Sequence, residues 1–235
     1  MTVKGYRPNV AIVTGAGKGI GRRVAIQLAS REVSVALASR TSSDLIPLEK
    51  EIRNAGGIAL AIATDVSKAA QVAQLVQETS ERLGPVDVLV NNAGVVEPSL
   101  VVDTPEESWD RVLDINLKGA FLCTRMVLPS MIQRHRGRII NVSSISGRLG
   151  TPRLASYCAS KWGLIGLTKA IAEEVREHNI QAFAICPGSV DTEMLGRGLP
   201  GAKPQMGPEE VASAIVYLAT EVPGAMTGAA IDMFG

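Results

Sequence analysis

A hydroxyl, a phenol and an ammonium fall within one stretch, SISGRLGTPRLASYCASK at residues 144–161, as Ser144, Tyr157 and Lys161. Tyr157 and Lys161 are four residues apart. A helix from Ala155 onward therefore sets both side chains on one face, about one turn apart. A tunable acid beside a cation, with a second hydroxyl in reach, is what moving a proton requires. The stretch is expected to be a proton-transfer site.

A second group of residues is suited to binding phosphates. The first apolar run leads into TGAGKGIG, residues 14–21, where Gly15, Gly19 and Gly21 stand between an expected strand and an expected helix. Glycines there let the backbone turn sharply and approach a pyrophosphate, while free amides at the helix start supply donors and partial positive charge. The spacing G-x-x-x-G-x-G differs from the commonest dinucleotide fingerprint, and no G-x-x-x-x-G-K-[ST] runs through Lys18, which excludes a nucleotide-triphosphate P-loop. At the end of the second expected strand, where a carboxylate would accept from the ribose of NAD, the chain has Ser39 and Arg40. These residues, with Lys18, suit a 2′-phosphate, so NADP (NADPH) is expected in preference to NAD.

The elements that must position these groups alternate regularly. Apolar runs at 10–14, 33–39, 58–63, 86–90, 138–142, 180–185 and 229–233 read as strands buried on both faces. Amphipathic runs at 20–30, 44–54, 68–83, 105–134, 155–178 and 208–220 read as helices, and residues 193–207 as a mobile loop rich in glycine and proline. The pattern predicts an α/β fold, a single-domain Rossmann-type doubly wound parallel sheet of about seven strands flanked by helices. One domain is expected over 1–235, with a cofactor half at about 1–143 and a catalytic and substrate half at about 144–235.

Composition narrows the partners. Lys and Arg number 24 against 23 Asp and Glu, a net charge of +1, which offers nothing for nucleic acid or an anionic membrane. Cys123, Cys158 and Cys186 form no C-x-x-C pair, and only two histidines are present, so neither a disulfide framework nor a metal site is expected. The amino terminus, MTVKGYRPNVAIV, has no leader-like apolar run, so a cytoplasmic setting is expected.

Taken together, TGAGKGIG at 14–21, NNAG at 91–94, Asn116, Ser144, Tyr157-x-x-x-Lys161 and PGSVDTEM at 187–194 resemble the classical short-chain dehydrogenase/reductase family, in that family's order and over nearly the whole chain. The resemblance implies an oxidoreductase that moves a hydride between a nicotinamide cofactor and a carbonyl or secondary alcohol. Tyr157 would be the general acid/base, Ser144 would hold the substrate oxygen, and Asn116 would hold a water in the proton relay. Lys161 would bind the nicotinamide ribose while lowering the Tyr157 pKa. A phenol titrates near ~10, and one cation at about 4 Å in an effective dielectric of about 20 supplies most of the ~4 kcal/mol needed to bring it to about 7.

By the same resemblance the cofactor would meet Gly15, Lys18, Gly19, Ile20, Gly21, Ser39 and Arg40 at its adenosine and phosphate end, with Asp65 and Val66 at adenine. Asn91, Ala93 and Gly94 would lie at the adenine ribose, and Pro187, Gly188, Val190 and Thr192 beside the nicotinamide. A homotetramer or homodimer is implied, assembled through the helices at 105–134 and 155–178 and the last strand. The end AIDMFG departs from the family's usual Asp-Gly-Gly, with Phe234 at the aspartate position. The substrate pocket would be lined by Val95, Val96, Arg148, Leu149, Arg153, Met194 and Leu195, and a 3-oxoacyl thioester leads over sugars or secondary alcohols as substrate. A nucleotide-sensing protein without chemistry, or a methyltransferase, is disfavoured by the intact Asn116, Ser144, Tyr157 and Lys161 and by Ser39-Arg40.

Overall fold

In the computed structural model, which describes residues 6–235, seven strands form one sheet. They are β1 (Val10–Thr14), β2 (Ser34–Ser39), β3 (Ala59–Ala63), β4 (Val88–Asn91), β5 (Gly137–Val142), β6 (Ile180–Pro187) and β7 (Ala230–Met233). Their order is β3-β2-β1-β4-β5-β6-β7 and every pairing is parallel. The expectation for residues 1–5 lies outside the described residues.

Strands covered on both faces need no polar side, and all residues of β1, β4 and β5 are buried. The covering helices are α1 (Gly19–Ala29), α2 (Ser42–Asn54), α3 (Ala69–Arg82), α4 (Glu106–Leu113), α5 (Gly119–Arg134), α6 (Ala155–Glu174), α7 (Glu193–Gly198) and α8 (Pro208–Thr220). Alternate strand residues feed opposite layers. Val13, Leu37 and Phe183 pack with Val24 and Leu28 of α1 and Ile215 of α8. Ile12, Leu89 and Ile139 pack with Leu75 of α3 and Val127 and Met131 of α5.

Three expected elements differ in detail. The single helix expected at 105–134 is interrupted by a π-helical turn, Asp114–Lys118, in which Gly119 N–H bonds the Asp114 carbonyl. The wide turn carries Asn116 inward, where it is 1% exposed. A Cβ on Gly119 would sit 2.7 Å from Val66, so glycine is what allows the turn to press against the loop after β3. The helix expected at 155–178 ends at Glu174 and is followed by a 3-10 turn, Arg176–His178, with Asn179 at φ +54°. The loop expected at 193–207 contains α7, started by the Thr192 hydroxyl, which accepts from Leu195 N–H at 3.4 Å.

The sheet order reverses between β1 and β4, whose following segments leave toward opposite faces and open a crevice at the carboxyl ends. Buried Thr14 closes its base. Its hydroxyl accepts from Asn92 N–H at 3.0 Å and Ala93 N–H at 3.1 Å and faces the Val90 carbonyl at 3.3 Å. The Asn92 side-chain amide returns to the carbonyls of Thr14 and Gly15 at 3.0 and 3.2 Å. Thr14→Val keeps the shape and strands two half-buried amides, so it is expected to cost about 1–3 kcal/mol. The melting temperature should fall by about 2–10 °C, with Thr14→Ser recovering most of the loss. A Thr14→Val protein as stable as the parent would contradict this role.

Candidate active site

Ser143 extends β5, its amide donating to the Ile185 carbonyl at 2.7 Å, and its hydroxyl reaches the Lys161 carbonyl at 3.0 Å. Strand and helix are thereby joined beside Ser144. The Ser144 hydroxyl accepts from Ser146 N–H at 3.1 Å and caps the short turn Ile145–Gly147, with the Pro187 carbonyl 3.5 Å away. Tyr157 and Lys161 occupy the first two turns of α6. The Lys161 ammonium donates to the Val142 carbonyl at 2.8 Å and lies 5.5 Å from the centre of the Tyr157 ring. All three side chains line a cleft of about 670 Å³ at the carboxyl ends of β1, β4, β5 and β6.

Asn116 stands behind the lining. Its amide oxygen accepts from Val95 N–H at 2.8 Å, and its NH₂ donates to the Val95 carbonyl at 2.9 Å and the Ser160 hydroxyl at 3.1 Å. It therefore fixes the loop after β4 to α6. A Cβ on Gly94 would lie 3.4 Å from that amide oxygen and 3.7 Å from the Lys161 ammonium, so this loop crosses close to both.

Burial dominates the electrostatics. It pushes the Tyr157 phenol up to about 12, with the Ser144 hydroxyl pulling the other way, and it pushes Lys161 down to about 8. The resemblance implies a phenol lowered toward 7 by Lys161, whereas burial shifts it in the opposite direction. Both ionised forms lose their hydration, and the Ser144 hydroxyl offsets only part of that loss for the phenol. Tyr157 consequently holds its proton throughout the neutral range, while Lys161 stands near its titration point.

The residues at the other end of the cleft fit a nicotinamide dinucleotide. Gly15 and Gly19 take φ +64° and +51°, and a Cβ on Gly15 would stand 2.9 Å from the Ala93 backbone, so only glycine permits this turn. Gly15, Lys18, Gly19, Ile20, Arg40 and Gly94 line the cleft, and Pro187, Gly188, Val190 and Thr192 line its opposite wall. Arg40 makes no ion pair among the described residues, whereas Lys18 meets Glu193 of α7 at 3.4 Å.

Six other expected contacts lie outside this lining. Gly21 is packed beneath the loop, where a Cβ would overlap the Gly15 carbonyl and the Asn92 amide. The Ser39 hydroxyl accepts from Thr41 N–H at 3.1 Å, and the Ala93 amide is spent on Thr14. Asp65 accepts from Ser67 in the turn that holds Val66 before α3. Asn91 faces the interior, donating to Asn141 at 2.8 Å and Thr124 at 3.2 Å.

The expected substrate wall is corrected in part. Val95, Val96, Met194 and Leu195 line the cleft, but Arg148, Leu149 and Arg153 do not. Arg148 turns away to Asp232 at 2.9 Å and the Ala230 carbonyl at 2.7 Å, because the β7 edge offers it a carboxylate. Leu149 is 59% exposed. Arg153, at φ +66°, gives its carbonyl to Ser99 N–H at 2.8 Å, which ties the loop after β4 to the segment before α6. A further charged pair that lines the cleft is Glu97 and Arg111, 2.6 Å apart, with Ser108 also on Glu97. Spacing carries no sign of this pair, which joins a loop to a helix, and Asn92, within NNAG, is a further residue that the sequence reading passed over.

A short chain dehydrogenase family model matches residues 9–200. A 3-oxoacyl-[acyl-carrier-protein] reductase of Synechocystis is 38% identical over 238 residues, 96% of this chain and 95% of its own. The 3-oxoacyl-[acyl-carrier-protein] reductase FabG of Staphylococcus epidermidis is 37% identical over 236 residues, 96% of this chain and 97% of its own. Among solved structures, a short-chain type dehydrogenase/reductase from Mycobacterium marinum superposes with a TM-score of 0.90 at 34% identity, covering 97% of this chain and 94% of that one.

The low Lys161 pKa has a measurable consequence. Below about 8 the lysine is charged whether folded or unfolded and its burial destabilises the fold. Between about 8 and 10.5 the folded chain sheds the proton while the unfolded chain keeps it, so this residue's contribution improves as pH rises through that window. Urea midpoints should therefore show the parent gaining on Lys161→Met from pH 8 to pH 10. A constant separation across that range would contradict the burial of a charged Lys161.

Proposed function

The chain belongs to the short-chain dehydrogenase/reductase family and is a nicotinamide-dependent oxidoreductase; from that premise we propose that it reduces a 3-oxoacyl thioester with NADPH. The observation that carries this reading is a buried phenol that keeps its proton, set beside a hydroxyl at the end of β5 and within reach of a cation. The relatives named 3-oxoacyl-[acyl-carrier-protein] reductases at 37–38% identity support the substrate class.

A nicotinamide cofactor, when bound in this cleft, would supply the hydride. Tyr157 donates its proton to the carbonyl oxygen, and Ser144 donates a hydrogen bond that holds the same oxygen in place. Lys161 keeps its ammonium beside the Tyr157 ring, would hold the ribose hydroxyls and would favour the phenolate left after transfer. Asn116 positions the Val95 loop and, through Ser160, the turn of α6 that carries Tyr157. Val96, Met194 and Leu195 shield the acyl portion from water. Lys18 and Arg40 would hold the 2′-phosphate that distinguishes NADPH from NADH, Lys18 giving up its exposed contact with Glu193 for that charge.

We place the enzyme in the cytoplasm, a setting that its three free cysteines suit. No helix among the described residues is long and apolar enough to cross a membrane. Exposed Phe121, Met126 and Trp162 on α5 and α6, together with Tyr217 on α8 and Phe234 just after β7, would supply faces for a homotetramer.

The test is an absorbance assay of NADPH and NADH against a 3-oxoacyl thioester and unrelated ketones. Tyr157→Phe should lower kcat by about 10²–10⁴-fold with NADPH binding retained. Arg40→Asp should raise the KM for NADPH by about 10–100-fold and abolish the preference over NADH. Full activity of Tyr157→Phe would overturn the acid, an unchanged preference would overturn the cofactor assignment, and thioester turnover no faster than that of simple ketones would overturn the substrate.

A further inference from the structure

We propose that a second cavity, at the amino-terminal end of the sheet, binds a small phosphate-bearing anion through Arg7, Arg136 and Arg138. The cavity measures about 750 Å³ and opens where β5 and β6 begin, with the end of α8 on its far side. The six residues of β5 separate it from the active-site cleft by about 20 Å.

Arg138 is the central observation. It is 4% exposed, yet among the described residues its guanidinium hydrogen-bonds only neutral groups: the Gln181 amide oxygen at 3.1 Å and the carbonyls of Leu218 and Val222 at 2.9 Å each. Carbonyls at a helix end offer about half a negative charge, less than the full charge buried here. Buried cations are ordinarily matched by a carboxylate. The buried carboxylate beside this cavity is already committed. Asp87 accepts from Arg134 at 2.7 Å and Arg136 at 3.2 Å on one oxygen, and from Asn9 N–H at 2.8 Å on the other. Residues 1–5, MTVKG, contain no acid that could serve. Glu221 is the acid in the lining, and it leans toward Arg31 at 3.5 Å.

The cavity lining thus carries three arginines, Arg7, Arg136 and Arg138, against one acid, Glu221, in a chain whose total charge is only +1. Two of them are gathered by Tyr6, whose ring centre lies 4.7 Å from the Arg136 guanidinium carbon and 4.3 Å from that of Arg138. Its hydroxyl is anchored on the Asp87 carbonyl at 2.8 Å. Attraction to the ring draws together two charges that repel. Burial holds Arg138 below its ordinary pKa, and the Arg136 charge acts in the same direction. An anion seated among them relieves both effects. A phosphate matches the excess of about two positive charges, and its oxygens match the arginine forks, while the cavity leaves room for an organic group.

The full chain, with NADPH present to fill the other cleft, should be titrated with inorganic phosphate and separately with glucose 6-phosphate, against sodium chloride of equal ionic strength. At about a hundredfold excess over Kd the melting temperature should rise by about 5–10 °C with one or both anions, and the responding anion identifies the source. Arg7→Gln/Arg136→Gln, with turnover intact, should lose that rise. If the double variant does not fold, Arg7→Gln alone should weaken the anion about tenfold, since the Arg7 side chain is exposed and its loss leaves the packing intact. No rise beyond chloride in the parent, or an undiminished response in the variants, would overturn the site.

Discussion

Two strands far apart in sequence end side by side, and one hydroxyl satisfies the amides that emerge where they part. At the reversal of the sheet, β1 and β4 lose their ladder partners, and the chain after each goes to a different face. Thr14 takes the amides of Asn92 and Ala93, and Asn92 takes the carbonyls of Thr14 and Gly15. With these backbone groups satisfied internally, the glycine loop can turn its remaining amides toward a phosphate. The same junction fixes Gly94 and Val95, through which Asn116 is joined to α6. Cofactor end and proton-transfer end are therefore set by one short polar cluster.

Burial decides what the reacting groups do. A phenol and an ammonium in contact with water would titrate near their ordinary values. Enclosed between β5, α6 and the segment after β6, the phenol stays protonated and the lysine loses its excess basicity. A protonated phenol is an acid in waiting, which suits reduction of a carbonyl. A lysine close to its titration point can return a proton after the phenol has given one up. Proximity alone, without the cost of removing both groups from water, gives the wrong sign for Tyr157.

The alternation of apolar and amphipathic runs made the parallel sheet legible, because doubly covered strands have few other ways to be written. Ser144, Tyr157 and Lys161 were legible for a similar reason: strand end and helix start keep their relation to one another by local geometry. What depends on contacts between distant segments was not legible. The π-turn at Asp114–Lys118 follows from the close approach of Gly119 to Val66 and from the hold of Asn116 on Val95. Arg148 reads as a substrate contact by its position and is drawn instead to Asp232 at the edge of the sheet. Asn91, adjacent to the cleft in sequence, points inward because the parity of β4 sends its side chain to the layer of Thr124 and Asn141.

The central claim is that this cleft joins hydride delivery from a nicotinamide to proton delivery from Tyr157 on one carbonyl. NADPH carrying deuterium at the transferring C4 position, incubated with a 3-oxoacyl thioester, tests it directly by mass spectrometry of the product. A single carbon-bound deuterium in the 3-hydroxyacyl product, acquired as cofactor is consumed, is the predicted result. Product formed without deuterium, or cofactor left unoxidised in the presence of substrate, would contradict it.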